Sequence, residues 1–592
     1  MPRETIPAQW LESVQTYRKP DAFQIPANGH YQTMSHEEAH KRVYHAALGL
    51  GALHLAHGDR VALLSENRVE WALADLAILS CGCINVPVYA TLPAHQVEYV
   101  LRNSEARAVF VSSAEQLEKI REIRANLPVL QHVILFDEAA ATGGELTLPA
   151  LEERGRLVDN PPDYETLIST VGPTDWASII YTSGTTGAPK GVILTHRNFM
   201  SNVSACLEVL PVLDTDVCLS FLPLSHVLER TAGYYIMMTA GASIAYAESI
   251  EAVPQNFLQV RPTVMISVPR LYEKMYARIL DTVEQGSGLK QSLFRWAVGV
   301  GQRYVSESLS GNVGTTTRGK RNVANTLVFK KLKRKTGGRL RYFVSGGAPL
   351  ARDIAEFFFA AGLPILEGYG LTETTPVLAV NTLDRVKFGT VGRAIPGVKL
   401  RIAPDGEILA QGPNVMQGYY KNPEATANAI VDGWFHTGDI GFLDEDGFLT
   451  ITDRKKDIIV TAGGKNIAPQ PIEGKLKQSP YITEAILVGD KRPYIAALIV
   501  PTFDKLEQFA VASHIPHANM RELIDSPRVR QLYQEELDRV CSELASYETP
   551  HKFHLLEREL TVDDGELTPS LKVKRRVVEE KFKAIIDATY AE

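Results

Sequence analysis

A short polar loop between two mainly apolar runs carries the first residues whose types could do chemistry. Residues 181–196 read YTSGTTGAPKGVILTH. Gly184 and Gly187 permit backbone conformations that other residues resist, so we expect a strand, a tight loop and a second strand. Such a loop can turn N–H groups and hydroxyls toward one anion, and Lys190 adds a positive charge. The loop therefore predicts a polyphosphate ligand, with a polar hairpin that binds nothing as the alternative.

The loop differs from the nucleotide-binding pattern G-x-x-x-x-G-K-[ST]. Ala188 and Pro189 separate its last glycine from the lysine, so an ordinary P-loop nucleotide hydrolase is disfavoured. The residues expected to contact phosphate oxygens are Thr182, Ser183, Gly184, Thr185, Thr186, Gly187 and Lys190.

Two glycine-containing stretches follow in the middle of the chain. Residues 345–349, SGGAP, come after a strand-like run, and their glycines let a flat ring approach the backbone; a plain strand-to-helix turn is the alternative. Residues 367–374, EGYGLTET, combine glycines, an aromatic face, hydroxyls and carboxylates. These groups suit a nucleotide base, a phosphate oxygen and a hard metal ion. A helix cap at Thr372 is the competing interpretation.

Three charged stretches lie further along. Residues 433–439, GWFHTGD, end in Asp439, whose carboxylate can take both hydroxyls of a ribose; a β-turn with a solvated aspartate is the alternative. Residues 453–457, DRKKD, are all charged, as a solvated hinge would be. Residues 568–576, TPSLKVKRR, form a basic cluster near the C-terminus, of a kind that is usually just exposed.

The elements that must position these groups alternate between helix and strand. After an irregular start, apolar periodicity predicts helices at 35–55, 69–81, 96–103 and 115–127 and strands at 60–65, 84–89, 108–111 and 133–136. Such alternation implies crossover units and a largely parallel sheet.

Turn signals between short strands then predict a small β-rich subdomain at about 389–453. The predicted fold class is α/β: a large N-terminal region of packed α/β sheets at 1–453, a hinge at 454–457, and a smaller mobile α+β domain at 458–592.

Composition places the chain among ordinary globular proteins and excludes several classes. It has 592 residues, 45% hydrophobic and 22% charged, with a net charge of -7, so nothing draws the whole chain toward nucleic acid or acidic membranes. Five cysteines without zinc-like spacing suggest a reducing compartment. The N-terminus lacks the apolar run of a signal peptide, and the uncharged stretches 76–95 and 231–247 are broken by proline or glycine. We therefore expect a cytoplasmic protein.

The segment 281–341 is rich in Lys, Arg, Gly and Ser, and residues 330–335 read KKLKRK. One hypothesis is peripheral contact with an anionic surface, such as the inner face of a membrane, or with a phosphorylated cofactor tail. The other is a solvated helix face, which we favour because short charge runs usually are solvated faces.

Taken together, in this order and spacing, the loop and the five later stretches resemble the motifs of the adenylate-forming superfamily of acyl-CoA synthetases, firefly luciferases and peptide-synthetase adenylation domains. The resemblance covers residues 35–582. Within the superfamily, residues 222–230, LPLSHVLER, and the long insert before Tyr342 look most like the long-chain fatty acyl-CoA synthetases.

The resemblance implies an ATP-dependent, Mg²⁺-requiring ligation of a fatty acid to coenzyme A through an acyl adenylate. It assigns Thr372 to the α-phosphate, Glu373 and Thr182 to Mg²⁺, and Asp439 and Arg454 to the ribose. The remaining residues that it places around the nucleotide are Gly346, Gly347, Ala348, Glu367, Gly368, Tyr369 and Gly370.

The resemblance also assigns moving and reacting parts. Lys572 matches the catalytic lysine of the C-terminal motif, although Leu571 stands where the family usually has glycine and Lys574 is an alternative. Lys456 matches the position about which the C-terminal domain rotates, and rotation would bring Gly464 to the pantetheine path of coenzyme A. His226 looks like the residue beside the substrate carboxylate, against the alternative of a satisfied core histidine.

Two further functions stay open at the level of sequence. One is an acyl-AMP ligase that delivers the acyl group to a carrier protein. The other is a catalytically silent nucleotide- or lipid-binding relative, against which the presence of Lys572, Glu373 and Asp439 weighs.

Overall fold

The computed structural model describes residues 3–141, 145–182, 188–542, 544–562, 564–568 and 572–591. Within them lie two large mixed sheets, a smaller β-rich sheet and a C-terminal α+β unit. The predicted α/β class is confirmed.

The strands of the described residues are, in chain order, β1 Phe23–Ala27, β2 His30–Met34, β3 Arg60–Leu64, β4 Ile84–Val88, β5 Ala108–Val111, β6 His132–Leu135, β7 Leu146–Thr147, β8 Trp176–Thr182, β9 Lys190–Thr195, β10 Val217–Ser220, β11 Ser243–Tyr246, β12 Val264–Ser267, β13 Tyr342–Ser345, β14 Ile365–Gly370, β15 Val377–Val380, β16 Arg393–Ala394, β17 Lys399–Ile402, β18 Glu407–Gln411, β19 Gly418–Tyr419, β20 Ile430–Val431, β21 Trp434–Leu443, β22 Leu449–Arg454, β23 Ile459–Val460, β24 Asn466–Ile467, β25 Ile482–Val488, β26 Ala496–Pro501 and β27 Lys552–Leu555.

The α-helices are α1 Ile6–Tyr17, α2 His36–Ala52, α3 Val69–Ser80, α4 Ala94–Ser104, α5 Ala114–Ile123, α6 Leu148–Arg156, α7 Tyr164–Ile168, α8 His196–Val209, α9 Ile236–Ala240, α10 Val253–Val260, α11 Pro269–Glu284, α12 Gly288–Leu309, α13 Thr315–Ala324, α14 Lys330–Lys335, α15 Arg352–Ala361, α16 Pro423–Ala429, α17 Pro469–Leu476, α18 Phe503–Ala512, α19 Met520–Asp525, α20 Pro527–Cys541, α21 Arg575–Lys581 and α22 Lys583–Ala591. Two π-helical segments, Glu229–Tyr235 and Asn325–Phe329, adjoin α9 and α14.

The first large sheet has the order β19-β9-β8-β4-β3-β5-β6-β7. Its pairs from β8 through β4, β3, β5 and β6 to β7 are parallel, as the alternation of helices and strands predicts. At one edge of this sheet β8 and β9, which flank the polar loop, pair in antiparallel orientation, with Thr182 opposite Lys190. The short β19, from much later in the chain, adds to this edge through Gly418 and Ile193. The two predicted strands are confirmed, while residues 183–187 of the loop lie outside the described residues.

The second large sheet has the order β16-β15-β14-β13-β12-β10-β11-β1-β2. Its central strands β11, β10, β12, β13 and β14 are parallel. The N-terminal hairpin β1–β2 joins it because Phe23 pairs with Ile244. The expectation of an irregular start was therefore wrong: residues 6–34 form α1 and this hairpin. Their apolar residues, including fully buried Trp10, lie in the core shared with the first sheet.

The β-rich sheet, of β17, β18, β21, β20 and β22, spans residues 399–454, compared with the predicted segment 389–453. The C-terminal residues form the three-stranded sheet β25-β26-β27, the β23–β24 hairpin and surrounding helices. Their apolar residues make separate hydrophobic cores on the two sides of that small sheet. No helix of the described residues is long and apolar enough to cross a membrane. All five cysteines are free thiols.

A fully buried ion pair connects two parts of the N-terminal region. Arg230 lies in the π-helical segment and reaches Asp75 of α3 at 2.5 Å, with both side chains fully buried. Arg230 also donates to Ser178 of β8 at 2.7 Å, and Tyr235 donates to Asp75 at 2.7 Å. Because β8 leads into the polar loop and the π-helical segment follows His226, this network fixes two parts of the candidate site relative to one another.

Candidate active site

A buried carboxylate lies where β21 and β22 run side by side. Asp439 and Arg454 are direct partners in this antiparallel pair. The Asp439 side chain is 6% exposed; Arg454 Nε lies 3.1 Å from its Oδ1, and the Tyr369 hydroxyl donates to its Oδ2 at 2.7 Å. Burial raises the pKa of Asp439, while Arg454 opposes that shift. The predicted ribose residues and one predicted adenine residue are thus brought into one hydrogen-bonded group.

Lys572, in the C-terminal unit, lies close enough to this group for Arg454 and Asp439 to affect its pKa. Its N–H donates to the Thr568 hydroxyl at 3.0 Å, and the Thr568 N–H donates to its carbonyl oxygen at 2.7 Å. Lys572 is exposed to solvent, yet the protein atoms around it partly desolvate the ammonium. Desolvation and then Arg454 lower the pKa of Lys572 to about 8, while Asp439 acts in the opposite direction.

Lys574 differs from Lys572 in its surroundings. Its backbone N–H donates to the Glu566 carbonyl at 2.7 Å, and the residue precedes α21. Burial alone lowers the pKa of Lys574, without the influence of Asp439 and Arg454 that acts on Lys572. Of the two lysines, Lys572 is thus the one whose pKa Asp439 and Arg454 affect; its catalytic role stays a prediction. Leu571, the departure from the family pattern, lies outside the described residues.

His226 lies half-buried just before the π-helical segment. Its Nδ1 accepts the N–H of Leu228 at 3.1 Å, which assigns the ring proton to Nε2. Burial, with the nearby Lys572 ammonium, lowers the pKa of His226 to about 4. The ring is therefore neutral at pH 7, and its Nε2–H can donate to a substrate oxygen.

Glu373 is oriented by a tyrosine that the motifs did not single out. The Tyr419 hydroxyl donates to Glu373 Oε1 at 2.9 Å, and the Met416 N–H donates to the Glu373 carbonyl at 2.8 Å. The Lys190 ammonium lies 4.8 Å from the centre of the Tyr419 ring. Tyr419 thus brings together the lysine of the polar loop and the predicted metal ligand. The Gly-Tyr-Tyr run at 418–420 was the available signal.

The turn around Thr372 is held by a neighbouring hydroxyl. Thr372–Thr374 form one 3₁₀ turn, and the Leu371 N–H donates to the Thr374 hydroxyl at 3.0 Å. Gly370 is needed before it, since a Cβ there would lie 1.7 Å from the Pro376 carbonyl oxygen. The cap predicted for Thr372 as an alternative is thus supplied by Thr374, and the Thr372 hydroxyl makes no cap.

The predicted adenine-binding residues lie at the ends of β13 and β14. Gly346 donates its N–H to the Ser267 carbonyl at 3.1 Å, and a Cβ there would lie 3.2 Å from Leu228. Gly347 has a φ of +83°, and Ala348 beside it is exposed. Glu367 differs from these: its carboxyl is buried beside the Leu350 backbone, and this burial raises its pKa to about 8. Gly368 follows on β14, with the Ala379 carbonyl oxygen 3.5 Å from a Cβ built there.

The polar loop is described only at its two ends. Thr182 closes β8, and its hydroxyl lies 3.5 Å from the Lys190 carbonyl oxygen. Lys190 itself is exposed. The predicted phosphate contacts Ser183, Gly184, Thr185, Thr186 and Gly187 lie outside the described residues.

The predicted hinge lies in an exposed turn directly after β22. Lys456 is exposed, and the Asp457 N–H donates to the Arg454 carbonyl at 2.9 Å. Lys455 anchors the turn through Asp405 at 2.6 Å. Gly464 lies in the turn between β23 and β24 with a φ of +75°, and a Cβ there would meet no atom within 4 Å. In this arrangement its backbone conformation alone accounts for glycine.

The donor set fits a metal ion that is shared with the substrate. The described residues hold no cluster of three or more His, Cys, Asp or Glu side chains that could bind a metal. Mg²⁺ commonly takes one or two carboxylates together with phosphate oxygens and waters. Glu373 supplies such a carboxylate beside Lys190, so these residues fit the ion that the resemblance implies.

Comparison with known proteins agrees with this site. The AMP-binding enzyme family model matches residues 12–420, and the AMP-binding enzyme C-terminal domain model matches residues 456–592. The long-chain-fatty-acid–CoA ligase FadD15 of Mycobacterium tuberculosis is 39% identical over 576 residues, which are 96% of this chain and 94% of that protein. The long-chain-fatty-acid–CoA ligase ACSBG2 of Xenopus laevis is 31% identical over 624 residues, covering 100% and 84% of the two chains.

Solved structures share the fold. The adenylation domain of a carboxylate reductase from Mycobacterium chelonae superposes with a TM-score of 0.78 at 23% identity, over 99% of this chain and 91% of that one. A fatty acyl CoA synthetase from Mycobacterium tuberculosis gives a TM-score of 0.63 at 22% identity, over 98% and 99%.

The fold, the site and the matches together define the class: the chain belongs to the family of AMP-binding enzymes. Within that family its curated relatives carry the name long-chain-fatty-acid–CoA ligase. The predicted resemblance to long-chain fatty acyl-CoA synthetases is thereby confirmed.

Proposed function

We propose that this protein is a long-chain fatty acid:CoA ligase that forms an acyl adenylate from ATP and then a thioester with coenzyme A. The names of its relatives support the reaction and the substrate class. The observation that carries the proposal is the buried Asp439 carboxylate, which Arg454 Nε meets at 3.1 Å and to which the Tyr369 hydroxyl donates at 2.7 Å. Lys572 is close enough to this group for Arg454 and Asp439 to affect its pKa, and its own charge lowers the pKa of His226.

In the first step a carboxylate oxygen of the fatty acid attacks the α-phosphorus of ATP, the bond to the β-phosphate oxygen breaks, and pyrophosphate leaves. His226 donates its Nε2–H to the substrate carboxylate and orients it. Lys572 would bridge the carboxylate and α-phosphate oxygens as negative charge gathers between them. Positioning and charge neutralisation are the main contributions that a protein makes to such a displacement.

The phosphate chain would be held at the other side of the site. Lys190 faces the departing pyrophosphate, Thr372 offers its hydroxyl to the α-phosphate, and Glu373 with Thr182 would hold Mg²⁺. When bound, this ion neutralises charge on the phosphate oxygens. Asp439 accepts hydrogen bonds from the ribose hydroxyls, and Tyr369 with Gly346 frames the adenine.

In the second step the coenzyme A thiol loses its proton to solvent, its sulfur attacks the acyl carbon, and the bond between that carbon and the phosphate oxygen breaks so that AMP leaves with the electron pair. Between the two steps the C-terminal domain would rotate about Lys456 and carry Lys572 away from the acyl adenylate. Gly464 would then approach the pantetheine path.

The free cysteine thiols and the ordinary proportion of charged residues support a cytoplasmic location for this reaction.

The test is carboxylate-dependent exchange of pyrophosphate into ATP across saturated fatty acids of increasing chain length. We expect exchange with long-chain acids and release of acyl-CoA when coenzyme A is added. Lys572→Ala should abolish exchange, while Lys574→Ala, the matched control, should retain it. Absence of exchange with acids of every length contradicts the proposal, and transfer to an acyl carrier protein but not to coenzyme A assigns a different acceptor.

A further inference from the structure

A pair of cysteines lies in the turn between α3 and β4, outside the candidate site. Residues 80–84 read SCGCI, so a single glycine separates Cys81 from Cys83. The Cys83 N–H donates to the Ile78 carbonyl at 3.0 Å. With its φ of +72°, Gly82 completes a tight turn at the C-terminal end of α3. The two thiols are therefore held together in one short turn.

The backbone of this turn suits a disulfide bond between the two cysteines. Two trans peptide bonds separate their Cα atoms, which therefore lie at most about 7.6 Å apart. The left-handed conformation of Gly82 folds the chain and shortens this separation toward the range of about 4.4–6.8 Å in which disulfides form. A Cβ added to Gly82 would also lie 2.3 Å from Cδ2 of the His57 ring. The backbone conformation and this ring both require glycine between the cysteines.

The two thiols differ in their access to solvent. Cys81 is partly exposed, whereas Cys83 is 1% exposed and its Sγ lies 3.4 Å from the Ala56 carbonyl oxygen. When Cys81 ionises, the Cys83 thiol can turn to donate to it. This hydrogen bond lowers the pKa of Cys81, against the opposing effect of burial, and raises the pKa of Cys83. Cys81 is therefore the thiol that an oxidant meets first, and Cys83 lies beside it.

The turn borders an open cleft at the protein surface. The cleft has a volume of about 330 Å³, and its lining includes Gly82, His57, Asp175 and Trp176. His57 Nε2 lies 3.0 Å from Asp175 Oδ2, so the ring that covers the glycine is held by a distant segment of the chain. Because one side of the turn faces this space and not the packed core, its backbone can shift when a bond between the sulfurs closes.

We propose that Cys81 and Cys83 are an oxidisable pair, which a hydroperoxide converts to an intrachain disulfide. The Cys81 thiolate attacks a peroxide oxygen, the O–O bond breaks, and the leaving alkoxide takes up the proton that the thiol released. Cys81 is then a sulfenic acid. The Cys83 sulfur attacks the Cys81 sulfur, the S–O bond breaks, and the hydroxide leaves as water with the proton of the Cys83 thiol. Two thiols and one hydroperoxide thus give one disulfide, one alcohol and one water.

Closure of this bond disturbs a buried network next to the candidate site. It moves Cys83, which directly precedes β4. In that strand Asn85 donates to Asp75 at 2.6 Å and accepts from the Ser178 hydroxyl at 2.8 Å. Asp75 and Ser178 are also the partners of Arg230, so we expect oxidation to lower the rate of pyrophosphate exchange. This effect rests on the proposed ligase function, whereas formation of the disulfide goes beyond it.

Mass spectrometry of the full chain after treatment with hydrogen peroxide tests the proposal. Free thiols are alkylated and the protein is cut with trypsin. Both cysteines then lie in one peptide, residues 69–102, because no lysine or arginine lies between Arg68 and Arg102. We expect this peptide to be unalkylated and lighter by two hydrogens. Pyrophosphate exchange should fall on oxidation, and dithiothreitol should restore both the thiols and the exchange rate.

Two variants separate the steps of the reaction. In Cys83→Ser the sulfenic acid of Cys81 should persist and be trapped by dimedone, whereas Cys81→Ser should give neither the adduct nor the disulfide. Both variants should keep their exchange rate in peroxide. Cys541→Ser, the matched control, removes a buried thiol of the C-terminal unit and should respond to peroxide like the wild type. Thermal unfolding midpoints verify that each variant is folded.

Three results would overturn the proposal. The first is a peptide 69–102 that stays alkylated at both cysteines or gains oxygen without losing two hydrogens. The second is an oxidised chain that exchanges pyrophosphate as fast as the reduced chain. The third is protection of Cys541→Ser to the same extent as Cys83→Ser. If the reduced chain itself shows no exchange, the ligase proposal fails, and the peptide mass still decides whether the pair forms a disulfide.

Discussion

The protonation state of Lys572 sets an upper pH limit on acyl adenylate formation. Only the ammonium form can neutralise the developing charge between carboxylate and phosphate. Desolvation and Arg454 lower the pKa of Lys572 from 10.5 to about 8. At pH 9 roughly a tenth of the molecules would keep the charge, whereas an unshifted lysine would still be almost fully protonated. We therefore expect kcat/KM for pyrophosphate exchange to fall about tenfold per pH unit above pH 8.

Two substitutions move this limit in directions that the structure specifies. Lys572→Arg replaces the ammonium with a group that stays charged throughout the range, so its residual activity should show no decline between about pH 8 and pH 10. Asp439 raises the pKa of Lys572. Asp439→Asn removes that influence, so the decline should begin at a lower pH. Lys574→Arg, the control, should leave the limit unchanged.

The assay is the initial rate of exchange at subsaturating fatty acid, measured with each variant across the pH range. Thermal unfolding at each pH separates loss of charge from loss of fold. A wild-type enzyme whose kcat/KM stays level beyond about pH 9.5 would refute the assignment of a depressed pKa to a required lysine. A decline that persists unchanged in Lys572→Arg would show that another group titrates.

Three further predictions concern groups around the site. Arg230→Met leaves the buried Asp75 carboxylate unpaired and should lower the free energy of unfolding by about 3–5 kcal/mol, measured by urea denaturation; a loss below about 1 kcal/mol would mean that the pair is not needed. Tyr419→Phe removes the hydrogen bond to Glu373. Because a charge-assisted hydrogen bond is worth about 1.5–3 kcal/mol, the Mg²⁺ concentration for half-maximal exchange should rise by about tenfold. An unchanged Mg²⁺ dependence contradicts the role of Tyr419 in orienting Glu373. Lys456→Pro should spare exchange and stop acyl-CoA release, since proline fixes a dihedral angle that the domain rotation must change; equal loss of both activities argues against a hinge at Lys456.

Much of the first sheet follows from apolar periodicity. The strands and helices between α2 and β6 lie within a few residues of their predicted bounds, because each buries a continuous apolar face of regular period. The N-terminal hairpin was not predicted, because β2 is mostly exposed and because β11, which pairs with β1, is remote in the chain. A pattern read locally contains no sign of such a partner.

The site residues likewise include some that the sequence singled out and some that it did not. The resemblance assigned chemical roles to Asp439, Glu373 and Lys572, and those roles stay predictions. Tyr419 and Arg230 escaped, since a tyrosine or an arginine near an apolar run indicates neither the carboxylate that it contacts nor its complete burial. Such contacts depend on tertiary packing, and only coordinates reveal them.

Two strand pairs join distant parts of the chain, and this affects how the protein folds during synthesis. β11, which pairs with β1, lies about 220 residues downstream of it in the sequence. β19, which pairs with β9, lies a similar number of residues downstream of β9. Each sheet therefore keeps an unpaired edge until much of the N-terminal region has left the ribosome. Long-range pairing of this kind slows folding and exposes edges to aggregation. We infer that residues 6–454 fold as one late, cooperative unit, and that a fragment ending before Gly418 would keep the β9 edge open and aggregate.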